Sequence, residues 1–247
     1  MSATDTAART DVMGIGFDNV DMDEAVERAW ELMASRKGAY VVTPNPEIIM
    51  CCRTDAEAEK AVNGADLIIA DGIGVIYGAK ILKTPLKQKL PGIDFTCRLL
   101  ERMAAQGMSL FLFGSKPGVA EKAAETLAER YAGLRIAGTN DGYFTNDANI
   151  VKKINEAAPD LLMVCLGAPK QEKWMAQRRG EVNAGLMIGA GGSLDVFAGT
   201  AERAPEKWQK AGLEWLYRLY KEPRRAGRMM KLPQFLLLTI GKRIRGK

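Results

Sequence analysis

The 247-residue chain contains no histidine. That removes the side chain most often used as a general base near neutral pH, and also the commonest nitrogen ligand for metals. Proton transfer must then fall to Asp, Glu, Lys, Tyr or Cys. Cysteine is scarce, with only Cys51, Cys52, Cys97 and Cys165. Two are adjacent and Cys165 lies in an apolar run, so neither a disulfide framework nor a C-x-x-C metal pattern is present, which suits a reducing cytoplasm. Long apolar runs are missing too. The longest late one, Phe235–Ile240, has six residues, against the roughly 18–20 a spanning helix requires. The polar stretch Met1–Asp11 lacks the apolar core of a signal peptide. The chain is therefore expected to be cytoplasmic and not membrane-spanning. Two nucleotide-binding signatures are also absent. There is no G-x-x-x-x-G-K-[ST], and after Gly72 and Gly74 the third glycine position of G-x-G-x-x-G holds Tyr77.

What is present is an ordinary folding composition, 47% hydrophobic and 26% charged, enough for a sizeable core without staples. The charge is unevenly placed. Residues 207–247 hold 12 Lys and Arg against two acids, whereas the preceding 206 residues hold 23 basic and 28 acidic ones. A mildly acidic body thus carries a strongly basic tail, which points to an anionic partner such as phosphate, nucleic acid or an anionic lipid surface.

Short apolar, β-branched runs predict buried strands at Tyr40–Thr43, Leu67–Ala70, Leu110–Phe113, Leu161–Leu166 and Leu186–Ile188, with a weaker sixth at Arg135–Ala137. Between them, Asp21-x-x-Glu24 predicts a capped helix through about Ser35. Pro117 is expected to open another helix, with Ala120, Ala123, Ala124, Leu127 and Tyr131 on one face. Alternating strands and helices over about residues 10–200 imply an α/β fold: a Rossmann-like, mainly parallel sheet with helices on both faces. Residues 204–247 read as a basic helical appendage to a catalytic domain spanning 1–203. In it, Lys207, Lys210, Glu214, Arg218 and Lys221 form one stripe of a single helix that should end before Pro223. Trp208, Ala211, Trp215 and Leu219 form another stripe. Because the strand pattern closes near residue 200, the core is expected not to depend on the appendage.

In such a sheet, ligands bind beyond the carboxyl ends of the strands. The first predicted strand runs into Thr43-Pro44-Asn45-Pro46-Glu47, where Asn45 is either a ligand residue or simply the cap of the next helix. The second ends in Ala70-Asp71-Gly72-Ile73-Gly74. There Asp71 suits a general base or ribose ligand, or alternatively an N-cap. Gly114–Gly118 could receive phosphate at a helix start. Two further strands lead into Gly167–Glu172 and into Gly189-Ala190-Gly191-Gly192-Ser193-Leu194-Asp195. A glycine-rich loop followed by an acid suits diphosphate and ribose. Tyr143 either stacks on a base or packs. Trp30, Met103 and Trp174 are expected in the core.

Seven segments in order closely resemble the WecG/TagA/CpsF family of bacterial glycosyltransferases, glycosyltransferase family 26. They are TPNPE (43–47), ADGIGV (70–75), PGID (91–94), FLFGSKPGVAE (111–121), LGAPKQE (166–172), GAGGSLDVFAG (189–199) and RAPEKWQKAGLEWLYRLYKEPRR (203–225). The resemblance spans about residues 12–235. It implies transfer of N-acetylmannosamine, its uronic acid or another hexose from a UDP-sugar to a polyprenyl-diphosphate-linked sugar, for teichoic acid or another surface polysaccharide. Inversion, without a metal site or cofactor, is also implied. The sole D-x-D, Asp21–Asp23, opens a helix away from the strand ends. By the resemblance, Asp71 matches the catalytic base, Thr43 and Asn45 the donor pocket, Gln171 a further site position, and Tyr143 and Asp195 the nucleoside side. Lys89, before PGID, stands where relatives often carry arginine; it keeps the charge but loses the bidentate fork.

These readings combine into a single displacement in which Asp71 deprotonates an acceptor hydroxyl. Lys89, the loop containing Gly191 and Gly192, and Arg218, Arg225 and Arg228 supply the positive charge and donors for the leaving UDP. Phe235–Ile240 would rest in the interface of an anionic membrane. The partners expected are donor, lipid-linked acceptor and inner membrane face, with room for a homo-oligomer. A nucleotide-sugar oxidoreductase is the rival enzyme, but the chain lacks the glycine fingerprint. A nucleic-acid-binding module would rest on the basic tail alone, and no nucleic acid partner is expected.

Overall fold

The structure, a computed structural model, describes residues 9–221 and 226–246. It opens with an antiparallel hairpin, β1 (Thr10–Val12) and β2 (Ile15–Phe17). Its two-residue turn, Met13-Gly14, has φ of 60° and 95°, the conformation tight hairpins favour. A methionine where asparagine is usual hides this turn from a sequence reading. Helix α1 (Met22–Ser35) then begins as expected. Asp21 accepts from Glu24 N–H at 2.9 Å while the Glu24 carboxylate accepts from Asp21 N–H at 2.8 Å, a capping box worth about 1 kcal/mol.

Next come β3 (Ala39–Val42), α2 (Pro46–Cys52), α3 (Ala56–Asn63), β4 (Leu67–Ile68), α4 (Ile73–Leu82) and α5 (Gly92–Ala105). They are followed by β5 (Ser109–Gly114), α6 (Val119–Arg130), β6 (Arg135–Asn140), α7 (Ala148–Ala157), β7 (Leu161–Cys165), α8 (Lys170–Gln177), β8 (Leu186–Gly189) and α9 (Ser193–Phe197). All six predicted strands exist, although β4 stops at Ile68 rather than Ala70. Helix α6 starts at Val119; Pro117 lies in the turn before it and Gly118 is the N-cap. The five residues predicted for its inner face are all buried.

The strands form one parallel sheet in the order β4-β3-β8-β7-β5-β6. Side chains alternate across it: Leu110 and Leu112 join the core on one face, Phe111 and Phe113 the core on the other. Leaving β5 the chain moves outward to β6, and leaving β7 it moves inward to β8. The boundary between β5 and β7 is thus a switch point, where open α/β sheets leave a crevice at the carboxyl ends.

The C-terminal part differs from expectation in two ways. The single helix predicted over 207–221 is two, α10 (Glu206–Lys210) and α11 (Glu214–Lys221). Gly212 (φ +72°) lies between them, with Gly212 N–H on Gln209 O and Leu213 N–H on Trp208 O, a left-handed helix stop that glycine favours. After α12 (Ala226–Met229), helix α13 (Lys231–Ile244) packs back on α4 and α2. Phe235, expected at a lipid interface, is 0% exposed within the core. A Cβ on Gly78 would lie 2.6 Å from its ring, and one on Gly74 would collide with Leu232. The core therefore does depend on residues beyond 204. Trp30 is partly buried beneath the Arg102 guanidinium, while Met103 and Trp174 are buried as expected.

Candidate active site

The strand ends bring together segments far apart in sequence. Thr43, directly after β3, is buried, and its hydroxyl donates to Gly189 O at the end of β8 over 3.5 Å. Pro44 O accepts from Asp71 N–H at 3.2 Å, and Ala70 O accepts from Leu90 N–H at 2.8 Å. Backbone bonds thus set the Asp71 turn between the Thr43 segment and the loop bearing Lys89. Asn45 takes the capping alternative: it is the N-cap of α2, its side chain accepting from Ile48 N–H at 3.0 Å. Asp71 does not. The N-cap of α4 is Gly72 (φ +91°), so Asp71 stands one position before the cap.

Further along the same sheet edge, beside β5, a second cluster forms. Ser115, after β5, donates its hydroxyl to Asp195 Oδ1 at 3.0 Å, and its carbonyl accepts from Gly142 N–H at 2.9 Å. Asp195 lies in the first turn of α9, shortly after Gly191 and Gly192. Tyr143 is 69% exposed on a turn where Asp141 accepts from its N–H. Packing falls instead to its neighbour Phe144, against Phe113 and under Lys170 Nζ. Tyr143 is therefore available for stacking. Gln171 is 2% exposed, and its amide oxygen accepts from Gly191 N–H at 3.1 Å.

Burial narrows the choice of base. It pushes the thiols of Cys52 and Cys165 and the phenol of Tyr40 up to about 12, so all three stay protonated at neutral pH. Desolvation also raises the carboxyl of Glu172, which is fully buried. Of the acids singled out at the strand ends, Asp71 and Asp195 are partly exposed. Among the described residues, no three Cys, Asp or Glu side chains gather as a metal site would require.

The C-terminal helices border the Asp71 turn. A Cβ on Gly212 would lie 3.1 Å from Ile73, and Leu232 meets Gly74. Arg218 and Arg228 lie on α11 and α12; their side chains, and all of Arg225, are outside the described residues. A link unseen in the sequence ties this region down. Both terminal nitrogens of Arg203 donate to the Asp94 carboxylate, at 2.5 and 2.7 Å. The partners stand 109 positions apart, inside the PGID and RAPEKW segments, and no spacing rule pairs them.

A parallel α/β sheet with acids, glycine loops and an exposed aromatic along its carboxyl edge has the make-up of a small-molecule-binding enzyme. Comparison with known proteins gives the family. The chain belongs to the glycosyl transferase WecG/TagA/CpsF family, whose model matches residues 10–247, and it is a glycosyltransferase. It is 35% identical over 231 residues to N-acetylglucosaminyldiphosphoundecaprenol N-acetyl-beta-D-mannosaminyltransferase of Staphylococcus aureus strain MW2, covering 93% of this chain and 91% of that one. The same enzyme of strain NCTC 8325 / PS 47 is equally similar, with the same coverage.

Proposed function

We propose that this glycosyltransferase moves N-acetylmannosamine, or its uronic acid, from a UDP-sugar to a polyprenyl-diphosphate-linked GlcNAc during surface-polysaccharide or teichoic acid synthesis. The relatives' names support the acceptor and the sugar. The observation that carries the chemistry is the Asp71 turn: a partly exposed carboxylate just past the end of β4, outside the helix-cap position and set by backbone bonds on both sides. Asp71 takes the proton of an acceptor hydroxyl, which attacks the anomeric carbon from the face opposite UDP and inverts it. Tyr143 and Asp195 receive the nucleoside. The Gly191–Gly192 loop, Lys89 and the arginines Arg218, Arg225 and Arg228 offset the developing diphosphate charge without a metal. Thr43 lines the donor side, next to the start of α2 that Asn45 caps.

A donor screen with synthetic lipid-diphosphate-GlcNAc tests this. UDP-N-acetylmannosamine or its uronic acid should give an inverted product, and transfer should persist in EDTA. Activity lost on chelation and restored by Mn²⁺ or Mg²⁺ would overturn the metal-free mechanism. Transfer from a different UDP-hexose would move the chain to exopolysaccharide synthesis.

Residues 204–247 are the part we assign to the anionic inner face of the membrane. Among the described residues no helix is long and apolar enough to cross it. Helix α13 instead has two faces. Phe235 and Thr239 are buried, whereas Leu237, Ile240 and Ile244 are 70%, 42% and 80% exposed on the opposite side, beside Lys242, Arg243 and Arg245. An apolar stripe edged with cations suits an anionic bilayer interface. Substituting Leu237 and Ile244 with Gln should leave the melting temperature unchanged and weaken sedimentation with anionic vesicles at least ~10-fold, since burying each side chain contributes about 1.5–3 kcal/mol. Unchanged sedimentation would remove this face from the membrane.

A further inference from the structure

Glu172 is the most deeply buried acid among the described residues, at 0% exposure. The other two buried acids are well partnered. Asp18 is held by Arg9, Arg28 and Ile68 N–H, and Asp147 by Arg178 and Trp174. Glu172 has neither a cation nor a full set of hydrogen bonds: Oε1 accepts from Gln171 Nε2 at 2.9 Å, and Oε2 is buried with no hydrogen-bond partner. Burial without a countercharge favours the neutral acid. As a space-filler this carboxyl is a poor choice, because an apolar side chain of the same volume would avoid the cost of desolvating it.

Its one bond has a directional consequence. The terminal amide of Gln171 has a donating and an accepting end. With Nε2 held by Glu172, Oε1 is turned to the Gly191 N–H, which it receives at 3.1 Å. Reversing the amide would set Nε2 against that N–H, donor to donor. The same amide leans on the start of the loop, since a Cβ on Gly189 would lie 3.0 Å from Nε2. Gly189 O in turn accepts from Thr43 at the end of β3. A buried acid on α8 therefore sets the orientation of a glutamine, and the glutamine fixes the glycine-rich turn between β8 and α9.

We propose that Glu172 is a positioning residue for the transfer reaction, acting through Gln171 to hold the Gly189–Gly192 loop in the shape that receives the donor diphosphate. The proposal rests on the reading of that loop as the donor's seat. Glu172 itself touches no substrate. Its requirement is an acceptor oxygen at the Oε1 position, in a neutral group, and glutamine can supply the same oxygen.

The test uses the full chain with two substitutions, Glu172→Met and Glu172→Gln, and three measurements: melting temperature, hydrogen exchange at the loop peptide 189–193, and donor kinetics at fixed acceptor. Glu172→Met removes the acceptor while keeping the volume. The cost of leaving the Gln171 amide N–H unpaired is offset by the carboxyl no longer being buried, so the variant should melt within a few degrees of wild type, yet exchange at the loop should quicken about tenfold, as expected for losing one ordering hydrogen bond. Donor KM should rise by a similar factor, with kcat changed less. Glu172→Gln should restore loop protection and donor KM to within about threefold of wild type. A residue with only a packing role would not give a stable Met variant with a loosened loop and a raised donor KM. Wild-type loop exchange in Glu172→Met would overturn the proposal. So would a Gln variant as loose as the Met variant. A loosened loop with unchanged donor KM would uphold the link from Glu172 to the loop and sink the assignment of that loop to the donor. Absence of transfer by the wild-type chain would sink the functional reading separately, leaving the exchange result to decide the positioning.

Discussion

Asp71→Asn should lower transfer by 10²–10⁴-fold, the usual worth of general-base help, while UDP binding and melting temperature stay close to wild type. Asparagine has the same size and can still accept and donate hydrogen bonds, but it cannot take a proton near neutral pH. The local geometry favours a clean result. The Asp71 N–H bond to Pro44 O is a backbone bond and survives the change. The N-cap of α4 is Gly72, so the substitution leaves the cap residue in place. More than about a tenth of wild-type turnover in the variant, with UDP binding intact, would take the base role away from Asp71.

The second large effect concerns α13. Phe235→Ala should destabilise the protein by about 3–5 kcal/mol, the range for emptying a buried phenylalanine site, which lowers the melting midpoint by roughly 10 °C in a chain of this size. Phe235 is fully buried and fits against Gly78, where no side chain could stand. Gly78→Val should do similar damage from the other side, because its added carbons would enter the ring's space. A chain ending before Lys231 should fare worse than either, with the Gly74 and Gly78 face of α4 stripped of Leu232 and Phe235. Thermal melts of the three, alongside the full chain, check this. A shortened chain with the full chain's melting temperature would return α13 to the role of a detachable appendage.

The contrast between these two residues shows what was legible in the sequence. Five of the six strands were readable because a strand buried on both faces needs an unbroken apolar run, and such runs are rare elsewhere in this chain; the edge strand β6, with no buried residue, gave only a weak signal. Asp71, Gln171 and Asp195 were readable because each comes soon after such a run, where the fold class puts ligands. The duty of Asn45 stayed open, since capping and ligand binding call for the same amide; only the bond to Ile48 N–H decides for the cap. The fate of Phe235 was hidden for another reason. Phe-Leu-Leu-Leu carries apolar side chains on every face of a helix, so nothing local says which faces α4 and which faces outward. The answer lies 157 positions earlier, in Gly78. Arg203 and Asp94 are equally silent, being charged residues whose pairing depends on the path of the whole chain.

That distance has a consequence for how the enzyme comes into being. During synthesis the strands and helices up to α9 can assemble in order as they leave the ribosome. Helix α4 must wait with its glycine face uncovered until Phe235 has emerged. The same helix begins at the Asp71 turn, and Leu232 settles against Gly74 in its first turn. A nascent chain, or one cut short, would thus hold Asp71 at the head of an unfinished helix. The Asp71 turn is completed only once α13, far along the chain, has folded back onto α4.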